Sequence, residues 1–431
     1  MNRKINMFFL LFILSGCINN SSSSSINNSS SFKGYDDISS TIVDPGSNKA
    51  TRQFVVEGKV TAIDGAKVKP FNTDMTLTSY SENVYNSLSP IYDYHIKRLH
   101  ILFDRYNKYY DENGKIINNL KVINDSYASN KEIVVDQDLF NLLELSIELS
   151  NITKGYFNPT MGSLIDGWNK YFSPFGDTNE SFTIEDEKNI VSRTASIVDY
   201  NDLDEVIELN KEKLSVKFNR YNKAGINSVI ISLGAIAKGY AIEYLKDKYS
   251  RHEVPLILSG SASSTYVKGI NPNPNRDNWT VLVNSPYKDN IFGVYPLLIN
   301  ELTPEHAIST SGDYEQLFYY YDNDELVRRH HILNPYTGHS EDYYRSVTLF
   351  SESRPDILDA LSTALFNIDD FEMIKEIIDE IENTYNINID YMFQKEISDK
   401  TLNLYLNEGY EKTITKKYTD TIKINEIVRI D

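Results

Sequence analysis

The segment Ile231-Ser-Leu-Gly-Ala-Ile-Ala-Lys-Gly-Tyr240 restricts the possible folds most, an apolar strand-like run turning through Gly234 into a helix that carries Lys238. A helix entered through glycine directs its first backbone N–H groups into the turn, where an anion can sit. Many α/β turns share this form, so the motif alone is a weak sign of phosphate binding. A lysine on a first helical turn is ordinarily a solvated charge. Beside the positive end of the helix dipole it is poorly placed, and a nearby anion would resolve the conflict.

Around this turn the pattern predicts mixed order. Met75, Leu77 and Ser79 alternate against Thr76, Thr78 and Tyr80 as in a strand, and Phe54 to Val60 reads likewise. Helical spacing predicts helices over 81–110, 136–153, 235–249 and 356–366, with shorter ones at 161–171 and 184–191. Further strands are expected at 206–209, 214–218, 229–233, 254–258, 265–267, 279–284, 317–321 and 347–350. Such a succession predicts an α+β fold, a mixed sheet with helices, as one elaborated domain or two lobes.

Asp359 and Thr363 stand four apart, so one helix face carries both. Their neighbours Ile357, Leu358, Ala360, Leu361, Ala364, Leu365 and Phe366 make that helix apolar on most sides. A carboxylate buried there without a partner costs several kcal/mol. Its partner is either a capping N–H or an arginine, or a hard cation, since carboxylate and hydroxyl oxygens are suitable Mg²⁺ ligands.

The chain ends carry a different signal. Met1-Asn-Arg-Lys-Ile5 precedes an apolar run from Met7 to Leu14, and Leu14-Ser-Gly-Cys17 follows. A basic start, a short apolar core and small residues before cysteine predict a bacterial lipoprotein signal over 1–16, with Cys17 as the lipidated residue. The core is too short to span a bilayer. Cys17 is the sole cysteine, which rules out an intrachain disulfide and a thiolate zinc cluster. The Ser/Asn-rich stretch that follows has little apolar surface, so residues 17–50 are expected as a flexible tether. A folded domain is expected over 51–410 and a C-terminal tail over 411–431. The anchored protein would face the periplasm or another extracytoplasmic space. A formal net charge of −18 argues against nucleic acid or anionic lipid as a general partner. Any phosphate site must then be local.

Four further segments join the opening motif: Gly155-Tyr-Phe-Asn-Pro-Thr160, Ser309-Thr-Ser-Gly-Asp-Tyr314, His330-His-Ile-Leu-Asn-Pro-Tyr-Thr-Gly338 and Asp359-Ala-Leu-Ser-Thr363. In this order and spacing, from about Phe71 to Phe366, the chain resembles the ApbE family, the FAD:protein FMN transferases. The resemblance implies an ApbE-like fold and a Mg²⁺-dependent enzyme with FAD as substrate. FMN would pass to a threonine or serine hydroxyl of an acceptor protein, with release of AMP. By resemblance the metal lies between Asp359, Thr363 and the Ala235 carbonyl, and Lys238 contacts FAD. His331 falls near the reacting phosphate as a candidate acid/base, in preference to His330, which faces the other way on a strand. Catalytic roles thus fall to His331, Lys238 and Asp359. Met75, Thr76, Asn124, Asn158, Thr160, Ser309 and Ser311 are expected along the cofactor pocket, and Asp313 in a structural role.

The chain also departs from the family pattern. Asn158 and Ser232 stand where Asp is usual, Ser261 falls in a stretch where glycines are usual, and Lys154 replaces an acidic or amide residue. Two other readings use the same residues: an FAD pyrophosphatase releasing FMN and AMP, and a flavin-binding lipoprotein with impaired catalysis.

Overall fold

The computed structural model describes residues 40–41, 54–57, 60–61, 67–174, 176–221, 228–252, 254–261, 263–273, 276–289, 293–418 and 422–430. The expected signal, Cys17 and nearly all of the tether therefore lie outside the described residues. Among those described, no helix is long and apolar enough to cross a membrane.

The fold is α+β, centred on a sheet of ten strands that follow one another in chain order. They are β1 (Ser40–Thr41), β2 (Phe54–Glu57), β3 (Met75–Ser79), β4 (Leu256–Gly260) and β5 (Ser264–Lys268). There follow β6 (His306–Gly312), β7 (Ser346–Ser351), β8 (Asp390–Ser398), β9 (Thr401–Leu406) and β10 (Lys423–Arg429). Neighbours pair antiparallel as far as β9, and β10 joins β9 in parallel.

Strands β4, β5 and β7 are buried at every position. Both faces of the sheet are covered, which is why these strands lack a polar alternation. Successive residues serve opposite faces. Ala307 and Leu349 join the large core beneath the helices, while Ile308 and Phe350 join a second cluster with Leu297, Leu298 and Leu302. That second cluster lies under a three-stranded sheet of Trp279–Asp289, Gly293–Leu302 and Ile414–Lys417.

The helices of the large core are α1 (Glu82–Phe103), α2 (Gln137–Ile152), α3 (Ala237–Lys248), α4 (Pro355–Phe366) and α5 (Phe371–Tyr385). Helix α4 begins with Pro355, whose fixed φ suits a first turn, and is apolar almost all round. Such a helix must be enclosed. It packs between α3 and strands β6 and β7. Gly239 allows the approach of α3: a Cβ there would fall 2.3 Å from the Pro355 carbonyl oxygen and 2.7 Å from the Asp359 Cβ. No other residue fits at that position.

Three expected elements differ. The apolar run 229–233 is no sheet strand; it makes one isolated bridge, Ile230 to Met161. Its backbone is satisfied instead by the Asn124 amide, which donates to Ile231 O at 2.9 Å and accepts from Ile231 N at 2.8 Å. The helix expected over 81–110 stops at Phe103. There the Asp104 carboxylate accepts from Tyr106 N at 2.7 Å and Tyr109 Oη at 2.6 Å, holding the chain in a turn. The helix after Gly234 starts at Ala237, two residues later than the pattern suggests, so Ala235 lies in the turn.

Candidate functional site

A cavity of about 380 Å³ opens where the 232–238 turn, the end of β6, the turn after α1 and the middle of α4 converge. Lys238, Asp359, Thr363, Ser311, His331, Ala235 and Asn158 all line it. These residues are scattered over 206 positions of sequence, counted from Asn158 to Thr363, and the fold brings them to one wall.

Asp359 is a buried carboxylate on the wall. Its Oδ2 accepts from the Gly239 N–H at 2.9 Å and lies 3.5 Å from Lys238 Nζ. Burial pushes its carboxyl above the ordinary carboxylate range, while the Lys238 ammonium and the Gly239 N–H favour the charged form. Both partner types open to Asp359 are thus met in part: an N–H, and a cation supplied by the protein itself. Lys238 Nζ also donates to Gly234 O at 3.3 Å, so the lysine folds back over its own turn. The anion that the helix dipole calls for is Asp359.

Hydroxyls continue the wall. Ser311 Oγ meets Thr363 Oγ1 at 3.3 Å and Ser362 Oγ at 2.9 Å, and Thr363 Oγ1 donates to Asp359 O at 3.3 Å. The Ala235 carbonyl, the Asp359 carboxylate and the Thr363 hydroxyl are hard oxygen donors on one cavity. Among the described residues no three His, Cys, Asp or Glu cluster as a metal cage. One carboxylate with neutral oxygens still fits Mg²⁺, which keeps waters and takes phosphate oxygens from substrate.

His331 lines the cavity with Nδ1 3.3 Å from Gln316 O. Its neighbour His330 is fully buried, with Nε2 on Glu341 O at 3.0 Å and its ring edge-on to Phe366. The loop behind His331 is fixed at its far end, where Trp168 Nε1 donates to Gly338 O at 2.9 Å and His339 Nδ1 meets Glu187 at 2.6 Å. Burial disfavours the Glu187 carboxylate, yet His339, Tyr320 and Arg329 together hold its pKa down to about 2.

Five expected pocket residues lie off the wall, each occupied elsewhere. Met75 is buried in β3 opposite Gly260, and Thr76 pairs with Ser259. Asn124 braces Ile231 as described. Thr160 Oγ1 donates to Asn158 Oδ1 at 2.7 Å and accepts from Val198 N at 2.8 Å. Ser309 Oγ donates to Ser263 O at 3.2 Å and meets Ser362 Oγ at 3.1 Å. Asp313 is buried between Arg328 and Arg345, a structural position.

Residues that the sequence did not single out also line the cavity: Phe71, Asn72, His100, Arg105, Tyr106 and Asn107. Arg105 is held by Asp166 at 2.6 Å and its guanidinium lies 4.2 Å from the Tyr106 ring centre. The Asp104-Arg-Tyr-Asn107 run, with a turn-forming residue at each end, was the available signal.

One departure from the family pattern acquires a reason, and another carries a cost. Asn158 Nδ2 donates to Val198 O at 2.9 Å, a bond that an aspartate could not make. Ser261 sits at φ 52°, in the left-handed region, in the turn between β4 and β5. Ser261→Gly should therefore raise stability by about 0.5–1 kcal/mol, strain relief exceeding the added chain entropy. Denaturant titration checks this, and a loss of stability would mean that the serine makes a compensating contact.

The comparisons agree with this architecture. A model of the ApbE family matches residues 71–386. The FAD:protein FMN transferase of Treponema pallidum (strain Nichols) is 27% identical over 256 residues, 56% of this chain and 63% of that protein. The FAD:protein FMN transferase of Vibrio cholerae is 24% identical over 218 residues, 50% of this chain and 56% of its own length. The matches thus span roughly three fifths of these relatives. Among solved structures, the ApbE protein of Thermotoga maritima superposes with a TM-score of 0.58 at 21% identity, over 84% of this chain and 100% of that one. The flavin transferase ApbE of Vibrio cholerae gives 0.57 at 17%, over 83% and 99%. At these identities the superpositions bear on the fold.

Proposed function

Because this chain belongs to the ApbE family, we propose that it is an FAD:protein FMN transferase, passing FMN from FAD to a threonine or serine hydroxyl of an acceptor protein. The observation that carries the reading is the pairing of Lys238 and Asp359 at 3.5 Å on the wall shared by Ser311, His331 and Thr363. A cation, a carboxylate and several hydroxyls on one wall suit a pyrophosphate in a protein whose net charge is strongly negative.

In the reaction, the acceptor hydroxyl oxygen bonds to the FMN-side phosphorus. The bond from that phosphorus to the bridging oxygen breaks, and AMP departs with that oxygen. His331, on the same cavity, would take the hydroxyl proton. Lys238 neutralises charge developing on the phosphate oxygens. Ala235, Asp359 and Thr363 would hold Mg²⁺, which when bound supplies further charge neutralisation on the pyrophosphate. We assign the protein to an extracytoplasmic membrane face, tethered by a lipid on Cys17.

Ser232 on the cavity wall, in place of a carboxylate, favours one competing reading, a flavin binder with impaired catalysis. Hydrolysis, in which water replaces the acceptor, would use the same residues as transfer. Incubation with FAD and Mg²⁺, with and without a protein bearing an exposed threonine segment, separates these. Fluorescent acceptor on a denaturing gel supports transfer, free FMN with AMP supports hydrolysis, and intact FAD overturns both.

In the same assay Lys238→Ala should lower kcat/KM by the equivalent of about 2–4 kcal/mol. Lys238→Arg keeps the charge but places a wider planar fork where a point charge is needed, so it should recover only part of the loss. Unchanged kinetics in both variants would reduce the 231–240 motif to a structural turn.

A further inference from the structure

On the transferase reading, we propose that His100 is a specificity-determining hydrogen-bond donor to a planar heteroaromatic ring of the bound dinucleotide. His100 lies on α1, is 6% exposed and lines the cavity. Its Nδ1 accepts from the Phe71 N–H at 3.1 Å. That bond places the ring proton on Nε2. Nε2 is itself buried and has no partner among the described residues. Among those residues, the other unpartnered buried side-chain atom on the cavity wall is Ser263 Oγ.

A buried donor left unpaired is costly, and native proteins seldom retain one without a use. The backbone that fixes its tautomer is itself strained, since Phe71 and Asn72 both hold left-handed φ, at 56° and 57°. Two unfavourable features thus meet on one imidazole at the cavity wall.

The surroundings select the class of acceptor. Phe71 and Tyr109 stand edge-on to the imidazole, with ring centres 5.7 Å and 6.4 Å away. Burial lowers the His100 pKa, with Asp104 opposing, so the ring is neutral at pH 7. A neutral N–H among aromatic edges suits a ring carbonyl or ring nitrogen, while anionic oxygens are served by Lys238. FAD offers two such rings, flavin and adenine.

Equilibrium binding of FMN and of ADP to the wild type and to His100→Phe tests the assignment. The variant should bind one of the two ligands about tenfold more weakly, with the other changed by about twofold or less. Loss confined to FMN identifies the flavin ring, and loss confined to ADP identifies adenine. Wild-type affinities for both ligands in the variant would overturn the proposal and leave His100 a packing residue or the site of a bound water only. A wild type that binds neither ligand would instead sink the transferase reading on which the proposal rests. If His100→Phe does not fold, the wild type labelled with ¹⁵N-histidine decides the matter. The His100 Nε2–H resonance should move on adding FMN or ADP, and an unmoved resonance under saturating ligand overturns the contact.

Discussion

Asp359→Asn should abolish nearly all FAD turnover, by on the order of 10²–10³-fold, while the protein keeps its fold. Asparagine retains the shape and can still accept from the Gly239 N–H, whose bond to Oδ2 ties α3 to α4. What it loses is one negative charge at the buried end of the wall. That charge costs energy where it stands, since burial pushes the Asp359 carboxyl upward. Removing it relieves a desolvation penalty as it removes the attraction to Lys238. Lys238 is 19% exposed in its side chain and borders the open cavity, so it can extend toward solvent. The two effects oppose each other, and the net stability change should stay within about 1 kcal/mol. Thr363→Ala is the companion variant and should lose much less, because water can replace a neutral hydroxyl ligand. Thermal melting and FAD turnover measured on the same preparations check the pair. Full activity in Asp359→Asn would remove the carboxylate from the proposed chemistry.

Many of the regular elements before Asn367 were legible because their burial follows simple periods, whereas α5, β8, β9 and β10 were not read from the sequence. Helices α2, α3 and α4 and strands β3 and β7 keep one apolar face or a largely apolar run, and spacing alone locates most of their lengths. The run 229–233 misleads for a physical reason: an extended apolar segment looks the same whether its backbone bonds to a neighbouring strand or to the Asn124 amide. Helix α1 misleads at its end because Tyr106 and Tyr109 continue the helical spacing, while the decisive Asp104 bonds depend on how the chain turns. At the site, Lys238, Asp359, Thr363, Ser311 and His331 were legible through their motifs. His100 was not, because a histidine inside an apolar helix reads as core, and the N–H that fixes its tautomer comes from Phe71, 29 residues earlier. Met75, Thr160 and Ser309 stand beside the wall in sequence and in space, yet their polar or bulky groups are used within the scaffold.

Asp313→Ala should cost about 3–5 kcal/mol of stability, the largest effect expected of any single substitution here. The Asp313 side chain is 0% exposed, and its Oδ2 lies 2.7 Å from Arg328 Nη2 and is also bound by Arg345. Burial raises the pKa of this carboxyl and the two guanidiniums counter it, while its Oδ1 has no partner among the described residues. Taking away the carboxylate leaves two cations facing each other with only 17% and 15% of their side chains exposed. Each has a second carboxylate, Asp342 for Arg328 and Glu396 for Arg345, so the cost should fall in the lower half of that range. Asp313→Asn keeps the volume and should cost less than alanine, although it too strands the arginines. The residues just before Asp313 are Ser311 and Gly312, both on the cavity wall, so a loosened clamp should also raise KM for FAD. Urea unfolding with an unchanged m-value measures the stability term. A loss below about 1 kcal/mol would mean that Arg328 and Arg345 are satisfied by their outer partners, and that the clamp does not hold the end of β6 in place.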